Sequence, residues 1–315
     1  MNGATTVAED KITIERRDRV VLIGINRPDI YNRIDPEAYH ALAKAYYRYD
    51  HDQSLRAAVL FGHGEHFSRG IDVDAFAEVA RTGKPWELSD GELDPLGKVK
   101  YLTKPLIVVA HGDTWNMAHE LVLAADIRVA AADVRFGQDE NTHGRFPGGG
   151  STVRFVRDAG WGNAMRYMLT GDHWGADEAR RLGVVQEVAP DRERALELAI
   201  EIAERVARCG PLGIQTTLAS AHLAVDRSEE TAYAELGAQF GALFRTQDFL
   251  EGRKAEALRR RQRTVVVVAR EAAAIRPRDG ARADVRHREL LPRRRVPWRR
   301  YWSARRDAGV RGHRP

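Results

Sequence analysis

His111-Gly112-Asp113-Thr114-Trp115-Asn116-Met117-Ala118-His119-Glu120-Leu121-Val122-Leu123-Ala124-Ala125-Asp126 changes character at its first glycine. The apolar run Leu106–Ala110 before it follows the Lys104-Pro105 breaker and reads as a strand that closes at Gly112. A helix is expected to begin near Asn116 or Met117, which puts Glu120 in its first turns. Unpaired N–H groups and the positive end of the helix dipole gather there, an arrangement suited to a developing negative charge. A first-turn glutamate can equally do no more than complement the dipole, and Glu120 taken alone does not decide between the two.

The same alternation extends in both directions. Val20–Ile25 is a short apolar run ended by Asn26-Arg27-Pro28, Ala57–Phe61 is closed by Gly62-His63-Gly64, and Ile127–Ala130 precedes a turn at Ala132-Asp133. Asp35-Pro36-Glu37 starts a helix over Ala38–Tyr49, with a capping carboxylate and a proline in the first turn. Short apolar runs bounded by turn residues, with helical patterns between them, predict an α/β fold with crossover helices. From Ala195 the pattern is helical, over Ala195–Ala207, Pro211–Leu223, Glu229–Phe244 and Asp248–Arg263. Three regions are expected: a core over 1–190, a helical region over 191–263 and an arginine-rich tail over 264–315.

A chain of 315 residues, 43% hydrophobic and 30% charged, can bury a sizeable core and does not have the composition of a disordered protein. No run of eighteen apolar residues occurs, so no spanning helix is expected, and Met1–Asp10 lacks the order of a signal peptide. A cytoplasmic protein is the expectation. The net charge of +5 divides unevenly: residues 264–315 hold 15 Arg against 5 acidic residues, a net +10, which leaves −5 on residues 1–263. Clustered Arg with Trp298, Tyr301 and Trp302 suits a nucleic-acid or membrane-surface arm. The expectation for this tail is nevertheless a solvated, largely disordered extension, of the kind that out-of-frame translation of GC-rich sequence produces. The single cysteine, Cys209, allows no internal disulfide and is expected to be a buried or capping thiol.

Three further segments bear on chemistry. Phe67-Ser68-Arg69-Gly70-Ile71-Asp72-Val73 follows the strand Ala57–Phe61, and a glycine turn there can point backbone N–H groups at an oxyanion. Phe136-Gly137-Gln138-Asp139-Glu140 leads to Gly144 and to Pro147-Gly148-Gly149-Gly150-Ser151-Thr152. No Lys-Ser/Thr follows that triple glycine, so it is no Walker loop and reads as a tight turn into a helix near Ser151. Leu169-Thr170-Gly171 through Val188 reads as a helix–turn–strand module. His63 and His66 flank a glycine turn without further ligands at suitable spacing, so no metal site is expected.

The set and its order, over roughly residues 12–262, resemble the enoyl-CoA hydratase/isomerase (crotonase) family. Val21-Leu22-Ile23-Gly24-Ile25-Asn26-Arg27-Pro28 with Asn32 is similar to its first strand and Asn-Arg-Pro turn. Phe67–Val73 resembles F-[SA]-A-G-x-D-[LIV], and Gly112–Asp126 resembles G-x-x-x-G-G-G-x-E-L…D. Phe136–Arg154 resembles F-G-x-P-E…G-x-x-P-G-x-G-[GS]-T-x-R, and Leu169–Val188 resembles L-T-G…A-x-E-A…G-L-V…V.

The resemblance implies a ClpP-like spiral of ββα units with a C-terminal helical trimerisation region. It implies Glu120 and Glu140 as catalytic acid and base, and the backbone N–H groups of Ile71 and Met117 as an oxyanion hole. Coenzyme A and substrate contacts are implied at Arg33, Arg69, Gly70, Asp72, Val73, Asp74, Trp115, Phe249 and Lys254. The implied reaction is syn addition of water to a 2-enoyl-CoA thioester, in a homotrimer or hexamer. No cofactor is implied beyond the coenzyme A of the substrate, and no nucleic-acid partner or membrane insertion. Four departures stand out: Asn116-Met117-Ala118 for the triple glycine, Arg69 and Arg33 for alanines, and Asp139 for proline. With His119, Asn141 and His143 the added polarity suggests a more functionalised acyl group than a plain fatty chain, although both histidines can equally be structural. An isomerase, a thioester hydrolase or a carbon–carbon-cleaving enzyme remains open within the fold. A nucleic-acid-binding protein acting through its tail remains open outside it.

Overall fold

The computed structural model describes residues 6–9, 11–77, 81, 87–98 and 100–258. These belong to the compact unit Met1–Arg259, one of two into which the chain divides. The expected arginine-rich tail and the end of the last expected helix lie outside the described residues.

Strands alternate with helices as expected, and the strands sort into two sheets. The larger runs in the order β1 (Thr6–Glu9), β2 (Ile12–Arg17), β3 (Val20–Ile25), β4 (Ala57–Gly62), β5 (Leu106–Ala110), β7 (Ile127–Ala131) and β10 (Glu187–Ala189). Its first three strands are antiparallel and the rest pair in parallel. The parallel strands are covered on both faces, which is why they read as unbroken apolar runs and not as alternating ones. Leu22, Val59 and Val109 point to one face and meet Ala199, Ile202 and Ala203 of a helix at Arg192–Ala207. Ile23, Leu60 and Val108 point to the other face and meet α1 (Pro36–His51).

Helix α1 forms as its sequence predicts. Asp35 accepts a hydrogen bond from Ala38 N at 2.8 Å, Pro36 opens the first turn, and Tyr39, Leu42, Tyr46 and Tyr49 recur on one buried face. Cutting Leu42 to alanine in this packed face costs about 2–5 kcal/mol.

The smaller sheet sets up the site. Strand β5 ends at Ala110, the chain turns at Gly112, and β6 (Asp113–Trp115) leaves in a new direction before α2 (Met117–Ala124) begins. After β7 the chain repeats the move, with β8 (Arg135–Gly137) pairing parallel to β6, followed by a short turn of helix and then α3 (Ser151–Ala159). Ser68, just beyond β4, bridges Thr114 in the same sense. Strand, short strand and helix thus recur along the chain, and this is the spiral of ββα units. It stacks the three loops that follow the short strands side by side. After α4 (Trp161–Thr170), strand β9 (Trp174–Gly175) completes the small sheet and α5 (Ala176–Arg181) leads to β10.

The helix Arg192–Ala207, α6, is capped by Asp191, which accepts from Arg194 N at 2.7 Å. Cys209, just past its end, is exposed and not buried; of the two expected roles it takes the capping one, its thiol donating to the Arg205 carbonyl of the last turn at 3.5 Å. Helices α7 (Pro211–Asp226) and α8 (Glu229–Leu243) pack together, and residues 247–258 are helical. Their burial is slight: α7 buries no residue and α8 only Ala232, while Tyr233, Leu236, Phe240, Phe244 and Leu250 stay exposed.

Candidate active site

The N-terminal turn and the loop after β4 are held together by one buried asparagine. Asn32 donates from Nδ2 to the carbonyls of His63 (2.7 Å) and His66 (2.8 Å), and its Oδ1 accepts from Arg27 N. Beyond it, Ile34 N donates to Gly70 O at 2.9 Å and Asp72 N donates to Ile34 O at 2.8 Å. A residue bonded on both sides in this way leaves the N–H of the intervening residue, Ile71, turned away from Ile34. Gly70 has φ +82°, and a Cβ there would lie 3.0 Å from Trp115 O and 3.3 Å from Met117 N. Only glycine lets the Ile71 segment approach the start of α2 so closely.

Met117 is the first residue of α2, so its N–H has no partner inside the helix. The residue before it is strained: Asn116 has φ 55° and ψ −120°, a conformation that suits glycine. Four hydrogen bonds from outside α2 hold it there, besides the helical one its carbonyl accepts from Glu120 N. Its N–H donates to Gly137 O (2.8 Å) and its carbonyl accepts from Gln138 Nε2 (2.9 Å). Its side chain donates to Asp139 Oδ1 (2.9 Å) and accepts from Asp139 N (3.0 Å). A proline at 139 has no N–H to give, so two of the departures from the family pattern form one linked unit.

Glu120 and Glu140 line the same cavity of about 710 Å³, together with Ile71 and Met117. Glu120 is buried in the first turn of α2, and its Oε1 accepts from Gly149 N (2.7 Å) and Ser151 N (3.1 Å). The carboxylate presses on Gly149 so closely that a Cβ there would sit 2.1 Å from Oε2. The triple glycine is therefore a seat for Glu120, besides being the turn into α3. Burial raises the Glu120 pKa, and the two backbone N–H groups, Lys98 and Arg154 oppose the shift. Glu140 opens the short turn after Asp139 and is also buried, but its Oε2 has no partner. Burial pushes it up to about 8; its own backbone N–H opposes, and the charges of Glu120 and Asp139 add to the rise. Near neutral pH one carboxyl of the pair thus carries a proton and has it free to give.

Arg33, Arg69, Asp72, Val73, Asp74 and Trp115 line this cavity, and Gly70 lies just behind Ile71. Arg69 is tied to Asp113 at 2.6 Å and stacks between the rings of Tyr31 and Trp115, which sets the Trp115 wall. Phe249 and Lys254 do not line the cavity of this chain; the Phe249 ring packs on Phe244 and Lys254 is exposed. His119 faces away from the chemistry. It is fully buried, boxed edge-on by Phe136, Phe155 and Trp174, and burial lowers its pKa to about 3, so it stays neutral. His143 does line the cavity, as do Leu96, Lys98, Asn116, Arg145 and Phe146. Sequence reasoning passed over Lys98 and Arg145: Lys98 lies in no motif, and Arg145 falls on a variable position of one. Among the described residues no cluster of His, Cys, Asp and Glu could hold a metal ion, and no helix is long and apolar enough to cross a membrane.

The model of the enoyl-CoA hydratase/isomerase family matches residues 15–262. Enoyl-CoA hydratase EchA19 of Mycobacterium tuberculosis is 32% identical over 82% of this chain and 97% of its own length. The 2,3-dehydroadipyl-CoA hydratase of Escherichia coli is 31% identical over 77% of this chain and 93% of its own. A solved structure from Mycobacterium abscessus, described as a probable enoyl-CoA hydratase/isomerase, is 40% identical. It superposes with a TM-score of 0.77 over 79% of this chain and 96% of that one.

Proposed function

The chain belongs to the enoyl-CoA hydratase/isomerase family, and from that premise we propose that its cavity adds water across the double bond of a 2-enoyl-CoA thioester. The thioester oxygen lies between the N–H groups of Ile71 and Met117, at the positive end of α2. The Glu120 carboxylate takes a proton from water as the water oxygen bonds to Cβ. The electron pair of the double bond moves toward the thioester oxygen and forms an enolate. The enolate collapses by taking the Glu140 proton at Cα, on the same face, and the proton on Glu120 returns to Glu140 through solvent. The linked Asn116–Asp139 unit acts as a positioning device, because it fixes the peptide that presents the Met117 N–H.

The observation that carries this reading is the inequality of the two carboxyls: one seated on two backbone N–H groups, the other buried with an oxygen that has no partner, so that burial pushes its pKa up to about 8. An isomerase needs only the second, since one group can carry a proton between two carbons. Hydration of a short 2-enoyl-CoA, followed by loss of the enoyl absorbance, tests it. Glu120→Gln and Glu140→Gln are each expected to lower kcat by roughly 10²–10⁴-fold. Full hydration by Glu120→Gln would leave isomerisation as the better reading.

The exposed apolar side chains of α8 and residues 247–258 favour burial against other copies, as a trimer or a dimer of trimers. Phe249 and Lys254 would then serve a neighbour's coenzyme A pocket. A chain ending at Arg263 is expected to sediment as an oligomer and one ending at Gln247 as a monomer with weaker coenzyme A binding; an oligomeric, tight-binding 1–247 chain would refute this.

A further inference from the structure

Two cations of the cavity, Arg145 and Lys98, transfer no proton in the proposed reaction. Arg145 follows Glu140 by five residues, and its N–H donates to Glu140 O at 2.9 Å, so the loop folds back and both side chains line one cavity. Arg145 is half-buried, and its Nε is shielded from solvent without an acceptor. Lys98 enters from the loop after Leu96. That loop is fixed by the buried Arg154, which donates to Gly97 O at 2.8 Å, and by Asp94, which accepts from Lys98 N. Lys98 and Arg145 thus line the same cavity as Glu120 and Glu140.

Among the described residues neither side chain makes an ion pair, whereas Arg69 is paired with Asp113. Of the carboxyls that line the cavity, Asp139 is engaged by Asn116 and His173, Glu120 by two backbone N–H groups and Asp72 by Ala75 N, and among the described residues none of them, nor Asp74 or Glu140, forms an ion pair with either cation. A guanidinium drawn partly out of water without a counter-charge is costly, and a bound anion repays that cost with charge-assisted hydrogen bonds.

We propose that the acyl group carries a carboxylate remote from the thioester, and that Arg145, assisted by Lys98, receives it. The substrate class is the mono-coenzyme A thioester of an unsaturated dicarboxylic acid. The proposal rests on the hydratase reading of the cavity and narrows it. Arg145 is a specificity residue in this account: it binds the substrate's far end and does no proton transfer.

The test compares 2-hexenedioyl mono-CoA with 2-hexenoyl-CoA, equal in length and different in one charge. In the wild type kcat/KM is expected to favour the dicarboxylic thioester, and Arg145→Gln to lower that ratio about 10–100-fold, mainly through KM, while Arg145→Lys keeps part of it. A wild-type ratio near one overturns the proposal. So does an Arg145→Gln variant that raises KM equally for both, since Arg145 would then be reading the phosphates of coenzyme A. If neither thioester is hydrated, the hydratase reading has failed; the dissociation constants of adipyl mono-CoA and hexanoyl-CoA in wild type and variant then decide this proposal alone. If circular dichroism shows Arg145→Gln unfolded, Lys98→Gln takes its place in the same comparison, and an unaltered ratio there together with one near unity for Arg145→Lys counts against it.

Discussion

The two sides of the cavity are built on opposite principles. On the side of α2 the groups nearest the chemistry are committed, although Trp115 Nε1, His119 Nε2 and Ser151 Oγ are buried without partners: Asn32 ties two loops, Ile34 brackets Ile71, and Glu120 is fastened to Gly149 and Ser151. On the side of residues 140–146 groups are left over: Glu140 Oε2 and Arg145 Nε are buried without partners, and Phe146 is 68% exposed. A committed group keeps its place whether or not substrate is bound, which is what a base and an oxyanion site require. An uncommitted group has a proton or a hydrogen bond to offer, which is what an acid and a specificity contact require. The contrast explains how two glutamates in one cavity come to differ in kind.

The hardest blow to this contrast is delivered through the seat of Glu120. Gly149→Ala places a methyl group where the carboxylate lies, so it is expected to cost nearly as much as losing Glu120 itself, roughly 10²–10⁴-fold in kcat. Far-UV circular dichroism should show the fold retained, and wild-type turnover by this variant would mean that the committed side is looser than described.

A smaller effect is expected at Asn116. Asn116→Ala loses the tie to Asp139 and carries a Cβ into a conformation that disfavours one, so kcat should fall about 10–100-fold with little change in KM. Asn116→Gly loses the tie but relieves the strain, and is expected to recover much of the rate. If alanine and glycine behave alike, backbone strain at Asn116 is not what positions the Met117 N–H.

The committed side was the legible one. Strand, glycine turn and helix start are local features, so Ile71, Met117 and Glu120 could be placed from motifs, and Glu140 from its spacing after Phe136-Gly137. The partnership of Asn116 with Asp139 could not: it depends on Trp115 lying opposite Gly137, a pairing of two three-residue strands too short to announce themselves. Asp139 read as a mere departure from proline, when its N–H and its carboxylate both bond the Asn116 side chain. Lys98 and Arg145 were illegible for a different reason, since a lone cation on a loop acquires meaning only when its surroundings are seen to lack a counter-charge. Cys209 was legible only as one of two roles, and the structure gives the capping one and not burial.

The central claim is that Glu140 holds the proton that reaches Cα, and the pH dependence of kcat/KM for 2-enoyl-CoA hydration tests it most directly. Burial raises the Glu140 pKa to about 8, so the acid is present below that pH and lost above it. The account predicts a rate that falls as pH rises through about 8, and a residual rate in Glu140→Gln that lacks this fall. A rate that stays level or climbs from pH 7 to pH 9.5, or the same fall persisting in Glu140→Gln, would contradict it.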